Sequence, residues 1–139
     1  MTVEIRHGVP PIDDYLRLRA DNGLTPRSRI AAEAGLPGSV CAITAHAGDR
    51  IVGMARVAGD ALNYEIVDVA VDTAFRRRGI ADAMMVALMI RLKEIAPAEA
   101  YVSLVADGPA DALYARHGFR SVMPASQGMS QWIGRKDTR

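Results

Sequence analysis

Apolar positions first alternate with polar ones at Val3 and Ile5, and this period of two over Met1 to His7 predicts an opening strand. Pro10-Pro11 then introduces Ile12, Tyr15, Leu16 and Leu18 at near-helical spacing, with Asp13 and Asp14 in the first turn. Asn22-Gly23 ends that helix. Thr25-Pro26 reads as an N-cap with proline at the first helical position, so a second helix is expected through Ile30 to Ala34. Gly35, Pro37 and Gly38 close it.

Ser39 to Ala47 and Arg50 to Ala58 read as two strands joined by a tight turn at Gly48-Asp49. Gly59-Asp60 turns the chain into Leu62 to Val71. There Ile66, Val67, Val69, Ala70 and Val71 run almost unbroken, as in a strand buried on both faces. A helix is expected from Gly79 to about Ile95, with Ala81, Met84, Met85, Leu88, Leu92 and Ile95 on one face. Its methionines are read as core packing rather than as a cofactor site. Val86 and Met89 leave apolar surface outside that face, which would suit a homodimer.

Tyr101 to Val105 is the next strand, returning parallel to the fourth across the helix in a right-handed βαβ unit. Asp107-Gly108-Pro109 breaks it, and a short helix over Ala110 to Arg116 ends at Gly118. Phe119 to Val122 and Met129 to Ile133 are expected as closing strands, joined by the loop Pro124 to Gly128. The fold class is α/β (α+β): a mixed, mostly antiparallel sheet of six or seven strands with about four helices, in one domain over residues 1–139.

Composition narrows the function. A chain of 139 residues can bury roughly two-thirds of its unfolded surface in a single core. The net charge of +1 gives no field to recruit nucleic acid or an anionic membrane, so neither partner is expected. Cys41 is alone and cannot form an internal disulfide, which fits a reducing cytoplasm. Glu4 and Arg6 stand where a secretory signal would need an apolar core. The longest apolar run, Ala83 to Ile90, is far too short to span a bilayer. A cytoplasmic protein is expected. No Cys/His cluster has metal-ligand spacing, so no metal is expected.

One stretch carries distinctive chemistry. Val69-Ala70-Val71 leads into a turn with Arg76, Arg77, Arg78 and Gly79, and Ile80-Ala81 opens the helix. A helix N-terminus presents unpaired N–H groups and the positive end of the macrodipole. The arginines add positive charge, and the glycine lets a ligand approach the backbone closely. This is a site for a pyrophosphate or similar anion.

Arg76-Arg77-Arg78-Gly79-Ile80-Ala81 resembles the R-x-x-G-x-G/A pyrophosphate motif of the GNAT superfamily of N-acetyltransferases. Ala110-Asp111-Ala112-Leu113-Tyr114-Ala115-Arg116-His117-Gly118-Phe119 resembles that superfamily's A-x-x-L-Y-x-x-x-G-F motif. A lone arginine motif is weak; the two together, with the intervening strand and helix in order, are strong. The resemblance spans about Val40 to Phe119, and the first 38 residues match only in layout.

The resemblance implies a GNAT-like fold splayed between strands four and five, and an enzyme moving the acetyl group of acetyl-coenzyme A to a primary amine in a ternary complex. The Arg76 to Ala81 turn would hold the pyrophosphate. Backbone groups of Val69, Ala70 and Val71 would pair with the pantetheine arm, and the Val71 N–H or a near neighbour would polarise the thioester carbonyl. Tyr114 is implied as the acid that protonates the departing thiolate. Asp107 replaces an asparagine common in the family; it can accept from a pantetheine amide but cannot donate. The carboxylates of the fourth strand, Glu65 and Asp68, are the candidate bases, with Glu65 preferred and a water relay as the alternative. Alternation puts them on opposite faces unless a bulge intervenes. His46 and His117 are weaker candidates.

The N-terminal helices and the Pro124 to Met129 loop would flank the acceptor, with Tyr15, Arg19, Arg27, Arg29 and Trp132 available for contacts. A small-molecule amine or amino acid is favoured over a protein amine. The competing class is a non-catalytic acyl-coenzyme A sensor or interaction module on the same fold.

Overall fold

The computed structural model describes residues 2–134. The chain divides into two compact units, Met1–Leu104 and Val105–Arg139. The first holds a five-stranded sheet in the order β1 (Val3–His7), β2 (Cys41–Ala47), β3 (Arg50–Gly59), β4 (Asn63–Val71) and β5 (Tyr101–Ser103). All neighbours are antiparallel except β4 and β5, which run parallel. This unit also carries α1 (Ile12–Asp21), α2 (Arg29–Gly35) and α3 (Ile80–Ile95).

Tyr15 and Leu18 of α1, Ala32 of α2 and Leu36 beyond it pack on Ile51, Met54 and Ala70 at one face of the sheet. On the other face α3 lies against β2 and β3. It buries Met84, Met85, Leu88 and Leu92, and leaves Val86 and Ile90 exposed. Each such fully buried side chain contributes about 1.5–3 kcal/mol relative to exposure. Gly59, at φ +155, closes the β3–β4 hairpin; a Cβ there would lie 2.2 Å from the Asn63 carbonyl oxygen. No other residue fits that approach.

Four expectations are corrected. The second helix begins at Arg29, with Ser28 as its N-cap accepting from the Ala31 N–H at 3.1 Å, rather than at Pro26. The Thr25 carbonyl instead accepts from Arg19 Nε at 2.8 Å, which holds this stretch in an irregular path. The most deeply buried strand is β3, which lies between two neighbours along its length; β4 buries Tyr64, Ile66 and Ala70 but leaves Glu65 exposed. β5 stops at Ser103 rather than Val105.

The fourth correction concerns the second unit. It contains α4 (Asp111–Ala115), preceded by a 3₁₀ turn over Gly108–Ala110. Residues 119–122 and 129–133 form no strand, so the described residues contain five strands and not six or seven. Val122, Met129 and Ile133 are exposed, so these segments bury no face that would reward pairing.

Candidate functional site

The site begins with an irregularity in β4. Opposite β3, Arg56 pairs with Val67 and Met54 with Ala70, so Asp68 and Val69 together face Ala55. This is a β-bulge, and Asp68 adopts the left-handed conformation at φ +57. An inserted residue reverses the alternation beyond it. Glu65 and Val67, opposite Ala58 and Arg56, therefore share a face with Asp68, whose carboxylate meets the Arg56 side chain. The bulge brings the two candidate carboxylates to one side.

A bulge also bends its strand. Parallel pairing with β5 ends at Glu65 opposite Ser103, and from Ile66 to Val71 no strand among the described residues covers that edge of β4. The splay expected between the fourth and fifth strands is thus present. The Asp72 N–H donates to the Val52 carbonyl at 2.8 Å, toward β3. Alternation turns the backbone of Val71 the other way, to the open edge. Its carbonyl there accepts from Arg76 Nε at 3.2 Å, and the Val71 N–H faces the same edge.

A 3₁₀ turn over Thr73–Phe75 carries the chain to the arginines. Arg77 at φ +63 and Gly79 at φ +76 both lie in the left-handed region. Gly79 caps α3 without a side-chain hydrogen bond, at the helix end where the macrodipole is positive. No Cβ at Gly79 would touch a neighbour, so the glycine serves the backbone conformation rather than close packing. Arg76, Arg77 and Arg78 are exposed, and the Arg78 guanidinium lies 4.9 Å over the Phe75 ring. None of the three pairs with a described carboxylate. Ile80 is buried and anchors the helix start, and Ala81 is half-buried behind it.

The two strand carboxylates differ. Glu65 is exposed and pairs with no described arginine. Asp68 has a side chain only 5% exposed, held by Arg19 Nη1 at 2.5 Å, Arg56 Nε at 2.5 Å and Tyr15 Oη at 3.0 Å. Tyr15 and Arg19, expected as acceptor contacts, are therefore buried partners of Asp68. Burial raises the Tyr15 phenol above its ordinary range, with the Asp68 charge as the next cause. Arg29 pairs with Asp13 at the surface.

In the second unit, Tyr114 on α4 is buried and meets Phe119 edge to face, with ring centroids 6.4 Å apart. Gly118 at φ +89 makes the reversal that lets the Phe119 N–H donate to the Tyr114 carbonyl at 3.2 Å. Burial raises the Tyr114 phenol above its ordinary range, with the nearby charge of Asp107 second. Asp107 itself is exposed ahead of the 3₁₀ turn.

The histidine candidate His46 is bonded through Nε2 to Thr44 Oγ1 at 2.8 Å; burial, then Arg6, lowers its pKa. A cavity of about 350 Å³ lined by residues such as His7, Leu36, Cys41 and Arg91 shares no residue with β4. Among the described residues, no group of His, Cys, Asp or Glu could hold a metal ion, and no helix is long and apolar enough to cross a membrane.

Strand, bulge, open edge, glycine-capped helix and tyrosine motif together define a class, and comparison with known proteins agrees. The family model described as "Acetyltransferase (GNAT) domain" matches residues 38–121, and the chain belongs to that family. A protein of unknown function from meticillin-resistant Staphylococcus aureus, described as a probable acetyltransferase, is 37% identical over 94% of this chain and 99% of its own, with a TM-score of 0.89. A predicted acetyltransferase from Clostridium acetobutylicum, solved with acetyl-CoA, is 17% identical over 93% and 96% of the two chains, with a TM-score of 0.70. The ribosomal-protein-S18-alanine N-acetyltransferase of Escherichia coli is 17% identical over 86% and 78%, with a TM-score of 0.71. Among curated proteins none matches.

Proposed function

We propose that this protein transfers the acetyl group of acetyl-coenzyme A to the primary amine of a small molecule, by direct attack in a ternary complex. The observation that carries the reading is the open edge of β4 running into a glycine-capped helix flanked by three arginines that pair with no described carboxylate. The residues present suit the coenzyme. Amides of the Arg76 to Ala81 turn and the guanidinium groups of Arg76 and Arg78 would bind its pyrophosphate. The Val69 to Val71 edge would pair with the pantetheine amides as an added strand does, and the Val71 N–H would polarise the thioester carbonyl.

The amine nitrogen forms a bond to the carbonyl carbon, the carbon–sulfur bond breaks, and the sulfur leaves with the electron pair. Glu65, directly or through a water, accepts the amine's proton. Its exposure supports that role. Both oxygens of Asp68 are already engaged by donors, so that carboxylate is poorly placed to receive one. Tyr114 supplies the proton to the thiolate, and the raised phenol keeps that proton available at neutral pH. The near-neutral chain, with no acidic or basic tract, favours a small acceptor over a protein tail. Incubation with acetyl-coenzyme A and an amine library, read by thiol release, tests this. Release above background with one or more amines is expected, and none across a broad panel would remove the reading.

A further inference from the structure

Two buried carboxylates stand at the ends of the β4 segment that offers its backbone to the donor: Asp68 before it and Asp72 after it. Each is held in the same manner, by donors from the first helix and one arginine from β3. Asp68 takes Tyr15 and Arg19 from α1 and Arg56 from β3. Asp72 takes Arg17 from α1 at 3.3 Å, Asn22 just past the helix at 3.0 Å, and Arg50 from β3 at 3.2 Å. Their side chains are 5% and 9% exposed.

A left-handed conformation at a residue other than glycine costs energy that the surroundings can offset, and unlike exposed Arg77, Asp68 has a buried side chain held by three donors. Their convergence on the carboxylate holds that conformation. The direction of every amide from Val69 to Val71 follows from it, because without the inserted residue the alternation would run the other way.

We propose that Asp68 and Asp72 form a bracket that fixes the heading of the Val69–Val71 amides, with Asp68 a positioning residue for acetyl transfer and not its base. The inference rests on the reading of Val69–Val71 as the thioester-binding edge. α1 becomes the part that aims the donor strand, although it touches none of the pyrophosphate turn through these bonds. An error of about 1 Å in such a donor's position costs on the order of 100-fold in rate.

The test compares Asp68→Asn, Arg56→Lys and Tyr15→Phe with the unaltered protein, in steady-state kinetics across pH and in amide NMR spectra with and without coenzyme A. Asp68→Asn should lower kcat by about 100-fold, and Tyr15→Phe by about 3- to 10-fold, with the KM for the amine little changed. The acidic limb of the pH profile should keep its position in each, whereas Glu65→Gln should remove it. The Val69, Ala70 and Val71 amide signals should move in Asp68→Asn before any ligand is added.

A folded Asp68→Asn with unchanged kcat, or with its acidic limb abolished, overturns the proposal. So does a set of folded Arg56→Lys and Tyr15→Phe variants with full kcat, should Asp68→Asn fail to fold. If the unaltered protein turns over no amine, the functional reading fails on its own, and the bracket stands or falls on the Val69–Val71 amide signals.

Discussion

Arginines serve two opposite purposes in this molecule. Those of the bracket, Arg17, Arg19, Arg50 and Arg56, end on buried or half-buried carboxylates of β4 and its exit. Those of the turn, Arg76, Arg77 and Arg78, meet a carbonyl, a solvent shell and an aromatic ring, and no described carboxylate. A charge already neutralised by the protein orders structure, and a charge left without a counter-ion is available to a ligand. The first set should therefore report on stability and the second on affinity.

The largest expected effect lies in the bracket. Arg19→Ala leaves Asp68 buried with one fewer counter-charge, which should cost about 3–5 kcal/mol of stability, read in a denaturant titration. A loss below about 1 kcal/mol, the range of surface pairs, would erase the distinction between the two sets.

Next come the tyrosines, both raised by burial but on different duties. Tyr114→Phe should lower kcat by about 100-fold while barely changing coenzyme A affinity. With its folded pKa above the ordinary value near 10, Tyr114 should keep its proton until above that pH, and the alkaline limb of the rate profile should vanish in Tyr114→Phe. A large loss of coenzyme A affinity in that variant would strip the tyrosine of its role as acid.

In the turn, Arg76→Ala or Arg78→Ala should raise the coenzyme A Kd about tenfold, the value of one charge-assisted hydrogen bond, with the melting temperature unchanged. Calorimetric titration and thermal melts on the same samples would show whether affinity and stability separate as the comparison demands. Loss of both together would place Arg76 with the bracket, through its bond to the Val71 carbonyl.

The smallest effect lies outside both regions. The folded state lowers the His46 pKa, by burial first and Arg6 second, so it binds a proton less readily than the unfolded chain does. That contribution to stability is present above about 6.5 and is lost as pH falls through the lowered value. His46→Gln should make stability slightly less sensitive to acid in that window, measured by melts at a series of pH values.

Much of the scaffold was legible from pattern. The alternation around Gly48-Asp49 and the run into Val71 placed β2, β3 and β4 within two residues of their ends, and the arginine turn and tyrosine motif announced the family. The bulge was not legible. In Glu65-Ile66-Val67-Asp68-Val69-Ala70-Val71 apolar residues occupy both parities, so one inserted residue leaves no mark on the period. Nor could the string show that the partners of Asp68 are Tyr15 and Arg19, 53 and 49 residues upstream. On a helix whose polar face looks solvated, a buried arginine and an exposed one are written alike. The closing strands failed for the converse reason: Phe119 to Val122 and Met129 to Ile133 have strand-like spelling, but Val122, Met129 and Ile133 stay exposed.

The open side of β4 has one more consequence, for handling the protein. A row of backbone amides and carbonyls from Ile66 to Val71 without a neighbouring strand is a template that an extended chain can copy. An occupant lying along that row would act as a stopper, and the empty protein is the form in which one molecule can dock its own ribbon onto another. Preparations kept with coenzyme A should stay monodisperse at concentrations where ligand-free ones begin to scatter light.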